Sequence, residues 1–248
     1  MPIALRAGSG AALGAIVGSY LATVLVRWPR GESASHGRSH CDACCRQLAW
    51  YDLIPIISYV AWGGRCRSCG QAIAKLHPAV ELTSAGLGAV LFALQAPLLA
   101  PLVWLLVTLA LFDALYLWLP NALVGTLALI CIAVPAWRAE TVLAERLLGG
   151  GGGFVALWTI AALYRRSTGR EGLGGGDPKL FGAIGLWIGA HDLPLLMLGG
   201  CAIGLVDAAL RWPRGAGRRD VHLPLGAYLC SAAILFALVQ PLGRNIHF

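Results

Sequence analysis

Residues 102–113 read LVWLLVTLALFD, an apolar run that ends on an aspartate. A second acid, Asp177, ends the glycine-rich stretch GLGGGD at residues 172–177, directly before another apolar run. A carboxylate at bilayer depth costs roughly 3 kcal/mol or more, so such groups normally face a wet interior that is lined by protein. Asp113 and Asp177 therefore predict a helical membrane protein that carries an acidic site among its helices.

Composition places the chain among integral membrane proteins. Of its 248 residues, 58% are hydrophobic and 12% are charged, whereas a soluble domain averages about 25% charged residues. Because a crossing takes about 20 mostly apolar residues, the sequence predicts an all-α polytopic fold with about eight transmembrane helices, the sixth short enough to be a half-span. The predicted spans lie at about 8–26, 79–97, 101–119, 121–137, 147–164, 178–190, 194–210 and 223–242.

The basic residues predict how these spans are oriented. If the segment after the first span is cytoplasmic, only Arg6, Arg138, Arg146 and Arg244 of the 19 Lys and Arg residues fall on the opposite side. This positive-inside bias places both acids toward the cytoplasmic side. Basic residues that flank helices meet anionic lipid headgroups. They account for the net charge of +7, so we expect no nucleic acid among the partners.

A stretch at about 27–77 predicts a folded loop outside the membrane. It carries two cysteine pairs, Cys41-x2-Cys44 and Cys66-x2-Cys69. Each pair can chelate from one turn, and together they supply the four thiolates of a tetrahedral zinc site. The cytoplasm is reducing, which disfavours disulfides. We expect a structural zinc ion, because a closed four-sulfur site leaves no position for a catalytic water. Redox-active or unrelated thiols are the alternative, and Cys45 could substitute as a ligand.

The residues around Asp177 favour a turn that a substrate can approach. Glycines allow close approach of a substrate backbone, and Pro178 favours a helix that begins just after the acid. The residues in question are Gly174, Gly175, Gly176 and Lys179. Lys179 could also pair with Asp177. Two alternatives stay open: Asp177 as the N-cap of its helix, and Asp113 as an interfacial residue at the end of its helix.

Two carboxylates in one site can carry out hydrolysis. Like charges a few ångströms apart cannot both ionise, so a converging pair would share one proton. The protonated acid could polarise a peptide carbonyl while the other carboxylate activates water. No Gly-x-Ser-x-Gly or His-Glu-x-x-His motif occurs, which disfavours serine hydrolases and zinc metalloproteases. The prediction is a membrane hydrolase. The alternatives are an ion- or proton-coupled transporter that uses Asp113 and Asp177 as relays, and a non-enzymatic assembly scaffold.

Short motifs follow one another from the first span to the last. They are residues 18–21 (GSYL), 39–41 (SHC), 50–55 (WYDLIP), 64–66 (GRC), 77–82 (HPAVEL), 112–113 (FD), 119–121 (LPN), 174–177 (GGGD) and 179–180 (KL). In this order and spacing the chain resembles the bacterial prepilin leader peptidases, membrane aspartyl proteases of the Gly-x-Gly-Asp type. Residues 223–228 (LPLGAY) are loosely similar to a late Pro-Phe-Gly-Pro motif of that family.

The resemblance implies that Asp113 and Asp177 are the catalytic acids. It implies cleavage of a short basic leader, usually after a glycine, from type IV pilins or type II secretion pseudopilins that an apolar helix anchors in the bacterial inner membrane. Many members also methylate the new N-terminal amine with S-adenosylmethionine, and these typically carry the cysteine loop. We expect a first transmembrane helix at 1–26, a cytoplasmic zinc-binding loop domain at 27–77 and a transmembrane aspartyl protease core at 78–248.

Overall fold

The computed structural model describes residues 1–134, 136, 141–211 and 223–244, without the side chains of residues 243 and 244. These residues form α-helices and short 3-10 helices, with no β-structure beyond isolated bridges. The α-helices are α1 (Ile3–Arg27), α2 (Ile57–Ala61), α3 (Leu76–Ala93), α4 (Ala100–Tyr116), α5 (Asn121–Ala133), α6 (Leu143–Thr168), α7 (Asp177–Ile188), α8 (Leu193–Arg211) and α9 (Leu225–Arg244).

The helical membrane fold is confirmed. Each predicted span contains one helix, and six of these helices are long and apolar enough to cross a membrane, by length and composition. The other two, α5 with 13 residues and α7 with 12, fall short of the about 20 residues that a crossing takes. The chain is thus a multi-pass membrane protein, and eight complete crossings stay a prediction.

Part of the basis for the predicted orientation lies outside the described residues. This holds for Arg138 and for the arginine-rich segment that follows Arg211, and the side chain of Arg244 is likewise not described. The orientation therefore rests on the sequence alone.

The chain divides into two compact units, Met1–Ala100 and Pro101–Phe248. In the first unit, α1 packs against α3 through small residues. A Cβ atom on Gly10 or Gly14 would lie 2.3 or 2.2 Å from a backbone oxygen of α3, which is closer than carbon and oxygen can approach. Glycine lets the two backbones touch, as is common between membrane helices.

In the second unit, the short helix α7 packs against α5, α6 and α9. A Cβ atom on Gly185 of α7 would lie 2.4 Å from the carbonyl oxygen of Gly149 in α6, so these backbones also touch. Trp187 is fully buried, and most residues of α7 are buried with it. Because α7 begins at Asp177, its tight packing fixes the position of one of the two acids.

Candidate active site

Asp113 lies in the last turn of α4 and is 5% exposed. The neighbouring Phe112 is fully buried, and its ring meets the Trp118 ring edge-on with centroids 5.7 Å apart. This packing fixes the rotation of the last turn of α4. Since the carboxyl group is buried, the structure does not support the alternative of an interfacial residue at a helix end.

The carboxyl group of Asp113 meets the N-terminus of α9. The backbone N–H of Ala227 donates a hydrogen bond of 2.8 Å to Asp113 Oδ2, and the backbone N–H of Gly226 also acts on this carboxyl group. Both amides belong to the first turn of α9, where N–H groups have no acceptor within the helix. A helix N-terminus favours a negatively charged partner, so α9 both holds Asp113 and fixes its direction.

Asp177 is the first residue of α7 and is 6% exposed. Its Oδ2 accepts a hydrogen bond of 3.2 Å from the Gly174 N–H, and its own N–H donates to the Gly174 carbonyl over 3.1 Å. These bonds close a turn that precedes the helix. The N-cap position belongs to Gly176, with no side-chain cap bond, so the capping alternative for Asp177 is wrong.

The two carboxyl groups converge at Gly226. The backbone N–H of Gly226 lies close enough to both carboxyl groups to influence each of them electrostatically, and the charge of Asp113 likewise influences Asp177. Two acids that are 64 positions apart in the numbering thus share one buried site, formed by the ends of α4, α7 and α9. A buried pair of this kind can hold one proton between two carboxylates, which is the arrangement that acid/base hydrolysis requires.

Leu119 packs between the glycine turn before α7 and the first turn of α9. A Cβ atom on Gly176 would lie 2.8 Å from Leu119 Cβ, and one on Gly226 would lie 3.0 Å from Leu119 Cδ1. The predicted turn at residues 119–121 is present, since α5 begins at Asn121 after Pro120. Its leucine fits between the glycine turn and α9 only because both neighbours lack a side chain.

The predicted substrate-approach residues have different surroundings. Gly174 binds Asp177, and Gly176 packs on Leu119, whereas a Cβ atom on Gly175 would meet nothing within 4 Å. Lys179 Nζ donates a hydrogen bond of 2.8 Å to Asn121 Oδ1, so Lys179 binds Asn121 and not Asp177, with which it could have paired. A role for these residues in binding a substrate stays a prediction.

Residues 223–228 had no predicted role in the site, although they supply the amide that holds Asp113. The sequence pattern that could have indicated these amides is a proline followed by small residues at a helix start, since Pro224 directly precedes α9. The next residue after these amides, Tyr228, donates a hydrogen bond of 2.6 Å to Asp207 Oδ2, and Arg211 lies 2.8 Å from Asp207 Oδ1. This network ties the first turn of α9 to α8.

The four predicted metal ligands form a second candidate site, in the first compact unit. The sulfur atoms of Cys41, Cys44, Cys66 and Cys69 all lie within 4.8 Å of one another. The Sγ atoms of Cys41 and Cys69 are 3.9 Å apart, close to the ~3.8 Å that a tetrahedron with Zn–S bonds of about 2.3 Å requires. The donor set therefore fits a structural zinc ion.

The two cysteine pairs adopt the same backbone turn. The Cys41 and Cys66 N–H groups each donate over 2.9 Å to a carbonyl five residues ahead, and the carbonyls of both cysteines accept a bond from the fourth residue ahead. That fourth residue, Cys45 or Gly70, has a positive φ of 55° or 70°. Cys45 is thus the turn residue of the first pair, and its sulfur is not among the four clustered ones.

Backbone amides favour the thiolate form of one cysteine in the second turn, which is the form that binds a metal. The N–H groups of Cys69 and Ser68 lower the pKa of the Cys66 thiol to about 6. At Cys69, the Gln71 amide lowers the pKa, but burial and the neighbouring thiols outweigh it and raise the pKa to about 11. At neutral pH the Cys66 thiol is therefore ionised while Cys69 keeps its proton, which a zinc ion would displace.

Comparison with known proteins agrees with this geometry. Residues 12–95 match the bacterial peptidase A24 N-terminal domain, and residues 100–208 match the type IV leader peptidase family. Proteins called prepilin leader peptidase/N-methyltransferase are similar over most of the chain. The one from Pseudomonas aeruginosa is 30% identical over 89% of this chain and 86% of its own length. The one from Neisseria gonorrhoeae is 32% identical over 96% and 92%.

A third relative of the same name, from Burkholderia pseudomallei strain 1026b, is 35% identical over 80% of this chain and 67% of its own length. No solved structure matches the chain. The resemblance inferred from the sequence motifs is confirmed, and nothing in these comparisons favours the transporter alternative.

Proposed function

Because the chain belongs to the type IV leader peptidase family, we propose that it is a membrane aspartyl endopeptidase that removes the leader peptide of type IV prepilins or type II secretion pseudopilins. The observation that carries the proposal is the convergence of Asp113 and Asp177, both buried, on the backbone amide of Gly226. The predicted substrates have a basic leader and an apolar helix. The positive-inside bias supports a bacterial inner-membrane enzyme whose site lies toward the cytoplasm.

The two acids divide the chemistry between them. Asp113 accepts a 2.8 Å bond from the Ala227 N–H and faces the N-terminus of α9, so its ionised form is the better stabilised and it is the general base. It removes a proton from water as the water oxygen attacks the scissile carbonyl carbon. Asp177, which accepts the longer bond of 3.2 Å from Gly174, donates the shared proton to the carbonyl oxygen. As the C–N bond breaks, Asp113 passes the proton that it took from water to the leaving nitrogen, and Asp177 takes a proton back from a hydroxyl of the tetrahedral intermediate, so the pair again holds one proton.

Burial of the pair explains how two ordinary carboxyl groups can perform this reaction. In a site from which bulk water is excluded, fixed backbone dipoles act on developing charge more strongly than in water. The first-turn amides of α9 do not need to reorient during the reaction. The close packing of α9 against Asp113 also explains why a glycine is needed at position 226, since a Cβ atom there would lie 2.9 Å from Asp113 Oδ2.

The cysteine cluster has a structural role in this proposal. Cys41, Cys44, Cys66 and Cys69 would hold zinc and shape the loop, and a bound zinc ion would tie the two cysteine turns together. Relatives are called N-methyltransferases as well as peptidases. We therefore include methylation of the new N-terminal amine, with S-adenosylmethionine as the methyl donor, as a second activity.

The experiment is cleavage of a prepilin co-expressed with variants of the enzyme. Asp113→Asn and Asp177→Asn keep the shape of each side chain but remove its ability to titrate, so each should abolish leader removal on an immunoblot. Asp192→Asn is the matched control, because Asp192 is also 5% exposed but lies in the turn before α8. Full cleavage by either of the first two variants would refute the proposal, and loss in all three would show a folding defect.

Mass spectrometry of the cleaved substrate tests the second activity. We expect the mature N-terminus to carry one additional methyl group when the wild-type chain is supplied with S-adenosylmethionine. An unmodified amine on fully cleaved product would remove methylation from the proposed function and leave the peptidase assignment intact.

A further inference from the structure

The cysteine loop carries an exposed apolar surface, the loop face, that belongs to neither candidate site. The loop face consists of Trp50, in the 3-10 helix Trp50–Leu53, and of Ile57 and Val60 in α2, which packs against that helix. These three side chains are 76%, 64% and 72% exposed. Large apolar residues that lie together on a surface mark a contact with a partner or a membrane.

A hydrogen bond fixes the loop face at the level of the membrane boundary. The Ile56 N–H, directly before α2, donates to Glu81 Oε2 over 2.7 Å. The helix that carries Glu81, α3, has only 18 residues, about 27 Å in length, whereas the hydrocarbon core of a bilayer is about 30 Å thick. The crossing therefore takes nearly the whole of α3. Because Glu81 lies in the second turn of α3, the start of α2 lies where this helix enters the membrane.

The turn before α2 has an unfavourable backbone conformation that the fold holds in place. Ile56 has a positive φ of 62°, which β-branched residues rarely adopt. Such a residue persists only where its surroundings fix it, and the bond to Glu81 is one of the contacts that do so. Ile57 and Val60 are three positions apart and so share one side of α2. The direction in which both side chains point is thus set by the turn.

The other side of these two short helices faces the protein. Asp52 and Tyr59 line a cavity between the cysteine loop and helices α1 and α3, whereas Trp50, Ile57 and Val60 lie outside its lining. The segment is therefore amphipathic, with polar groups toward the interior of the unit and apolar groups outward. This is the pattern of a segment that lies in the plane of a membrane surface.

Aromatic and basic side chains lie beside the loop face. The guanidinium group of Arg67 lies 5.0 Å from the Tyr51 ring centroid and 4.5 Å from the Trp62 ring centroid. Lys75, directly before α3, is exposed. Tyrosine and tryptophan are enriched at the level of lipid headgroups, and basic residues at that level meet anionic phospholipids. The surroundings of the loop face therefore complement a bilayer surface in polarity and in charge.

We propose that Trp50, Ile57 and Val60 insert into the surface of the lipid bilayer and hold the cysteine loop against the membrane. The inference goes beyond the proposed function and does not depend on it. The occupant of the loop face is phospholipid, because the loop is joined at both ends to helices that can cross a membrane and the Glu81 bond keeps α2 at their boundary. The apolar side chains would enter the boundary between headgroups and acyl chains, with Arg67 and Lys75 at the phosphates.

Photo-crosslinking to lipid tests the contact directly. The photoreactive residue p-benzoylphenylalanine replaces Val60 in the zinc-loaded full chain, in vesicles of phosphatidylethanolamine and phosphatidylglycerol, and the irradiated peptides are analysed by mass spectrometry. We expect phospholipid adducts at position 60 and, in a second variant, at position 57. Gln47 is the control position, because it is an exposed residue of the same loop outside the loop face, and we expect no adduct there.

A double variant tests whether the apolar side chains themselves make the contact. Ile57→Asn combined with Val60→Asn should lose the phospholipid adduct of p-benzoylphenylalanine at Trp50. Its zinc content should match the wild-type value, since both side chains are exposed and neither belongs to the cysteine cluster.

Three results would overturn the proposal. They are the absence of lipid adducts at positions 57 and 60, labelling at Gln47 equal to that at position 60, and an adduct at Trp50 that survives in a zinc-loaded double variant. The same labelling in native inner membranes identifies a protein occupant, and protein adducts at position 60 in place of lipid adducts would also refute it. Because no prepilin takes part, each of these results leaves the proposed peptidase function intact.

Discussion

Replacing Gly226 by alanine tests the geometry of the site directly. A Cβ atom at this position would lie 2.9 Å from Asp113 Oδ2, 3.1 Å from Asp113 Cγ and 3.0 Å from Leu119 Cδ1. Ordinary contacts begin near 3.4 Å, so the carboxyl group must move by about 0.5 Å. Gly226 has no positive φ and lies in a helix, where alanine is favoured. The effect of the substitution is therefore steric.

The expected magnitude follows from the displacement. A misplacement of 1 Å can lower the rate of an enzyme by about a hundredfold, so 0.5 Å should lower kcat by at least about tenfold, or roughly 1.4 kcal/mol in the barrier. Overpacking costs about 1–3 kcal/mol of stability. We expect a folded enzyme with lower kcat, an unchanged KM and a slightly lower Tm, measured on a purified prepilin in detergent.

A matched glycine variant separates this effect from a general loss of helix packing. Gly199 lies in α8, the helix that packs against α9, and a Cβ there would lie 3.5 Å from Ala232 Cβ, an ordinary contact. Gly199→Ala should cleave at the wild-type rate. If Gly226→Ala also cleaves at that rate with an unchanged Tm, the close approach of α9 to Asp113 is not what positions the acid.

Three further predictions concern the rest of the molecule. Tyr228→Phe removes the 2.6 Å bond to Asp207 and loosens the first turn of α9, so kcat should fall about three- to tenfold while KM stays constant. An unchanged kcat together with a higher KM would contradict this prediction. Gly14→Ala should lower the free energy of unfolding by about 1–3 kcal/mol, because its Cβ would meet a backbone oxygen at 2.2 Å, whereas Gly8→Ala, with nothing within 4 Å, should not. Cys66→Ser should abolish stoichiometric zinc binding in metal analysis and make the loop susceptible to trypsin, and zinc retained by this variant would exclude the four-cysteine site. In the wild type, the apparent zinc affinity should fall as the pH falls, because protons compete with zinc for the thiolates.

The sequence predicted features that depend on neighbouring residues along the chain. Apolar runs predicted the positions of the eight longer helices among the described residues, six of which are long and apolar enough to cross a membrane, because hydrophobicity and helix length are local properties. The spacing of the cysteine pairs predicted the cluster that the structure contains. Asp113 and Asp177 were singled out because an acid beside an apolar run is unusual in itself.

The errors concern groups whose partners lie elsewhere in the chain. The sequence allowed a pairing of Lys179 with Asp177, but Asn121, 58 positions earlier in the chain, accepts the hydrogen bond of Lys179. Pro224 and the small residues after it indicate a helix start with free N–H groups at Gly226 and Ala227, but they do not indicate which acceptor those groups meet. Only the position of α9 shows where these donors point.

By itself, the sequence determined that this is a helical membrane protein with two unusual acids and a four-cysteine loop, because burial preference and chelate spacing are encoded in short stretches. Only the tertiary structure decided that the two acids meet in one site and that Leu119 packs between Gly176 and Gly226. It also decided that Asp52 Oδ1, beside a cavity, receives no hydrogen bond from the residues that the structure describes. The physical reason is that electrostatic coupling and steric contact fall off within a few ångströms, and distances of that size between remote residues are set by how the helices pack.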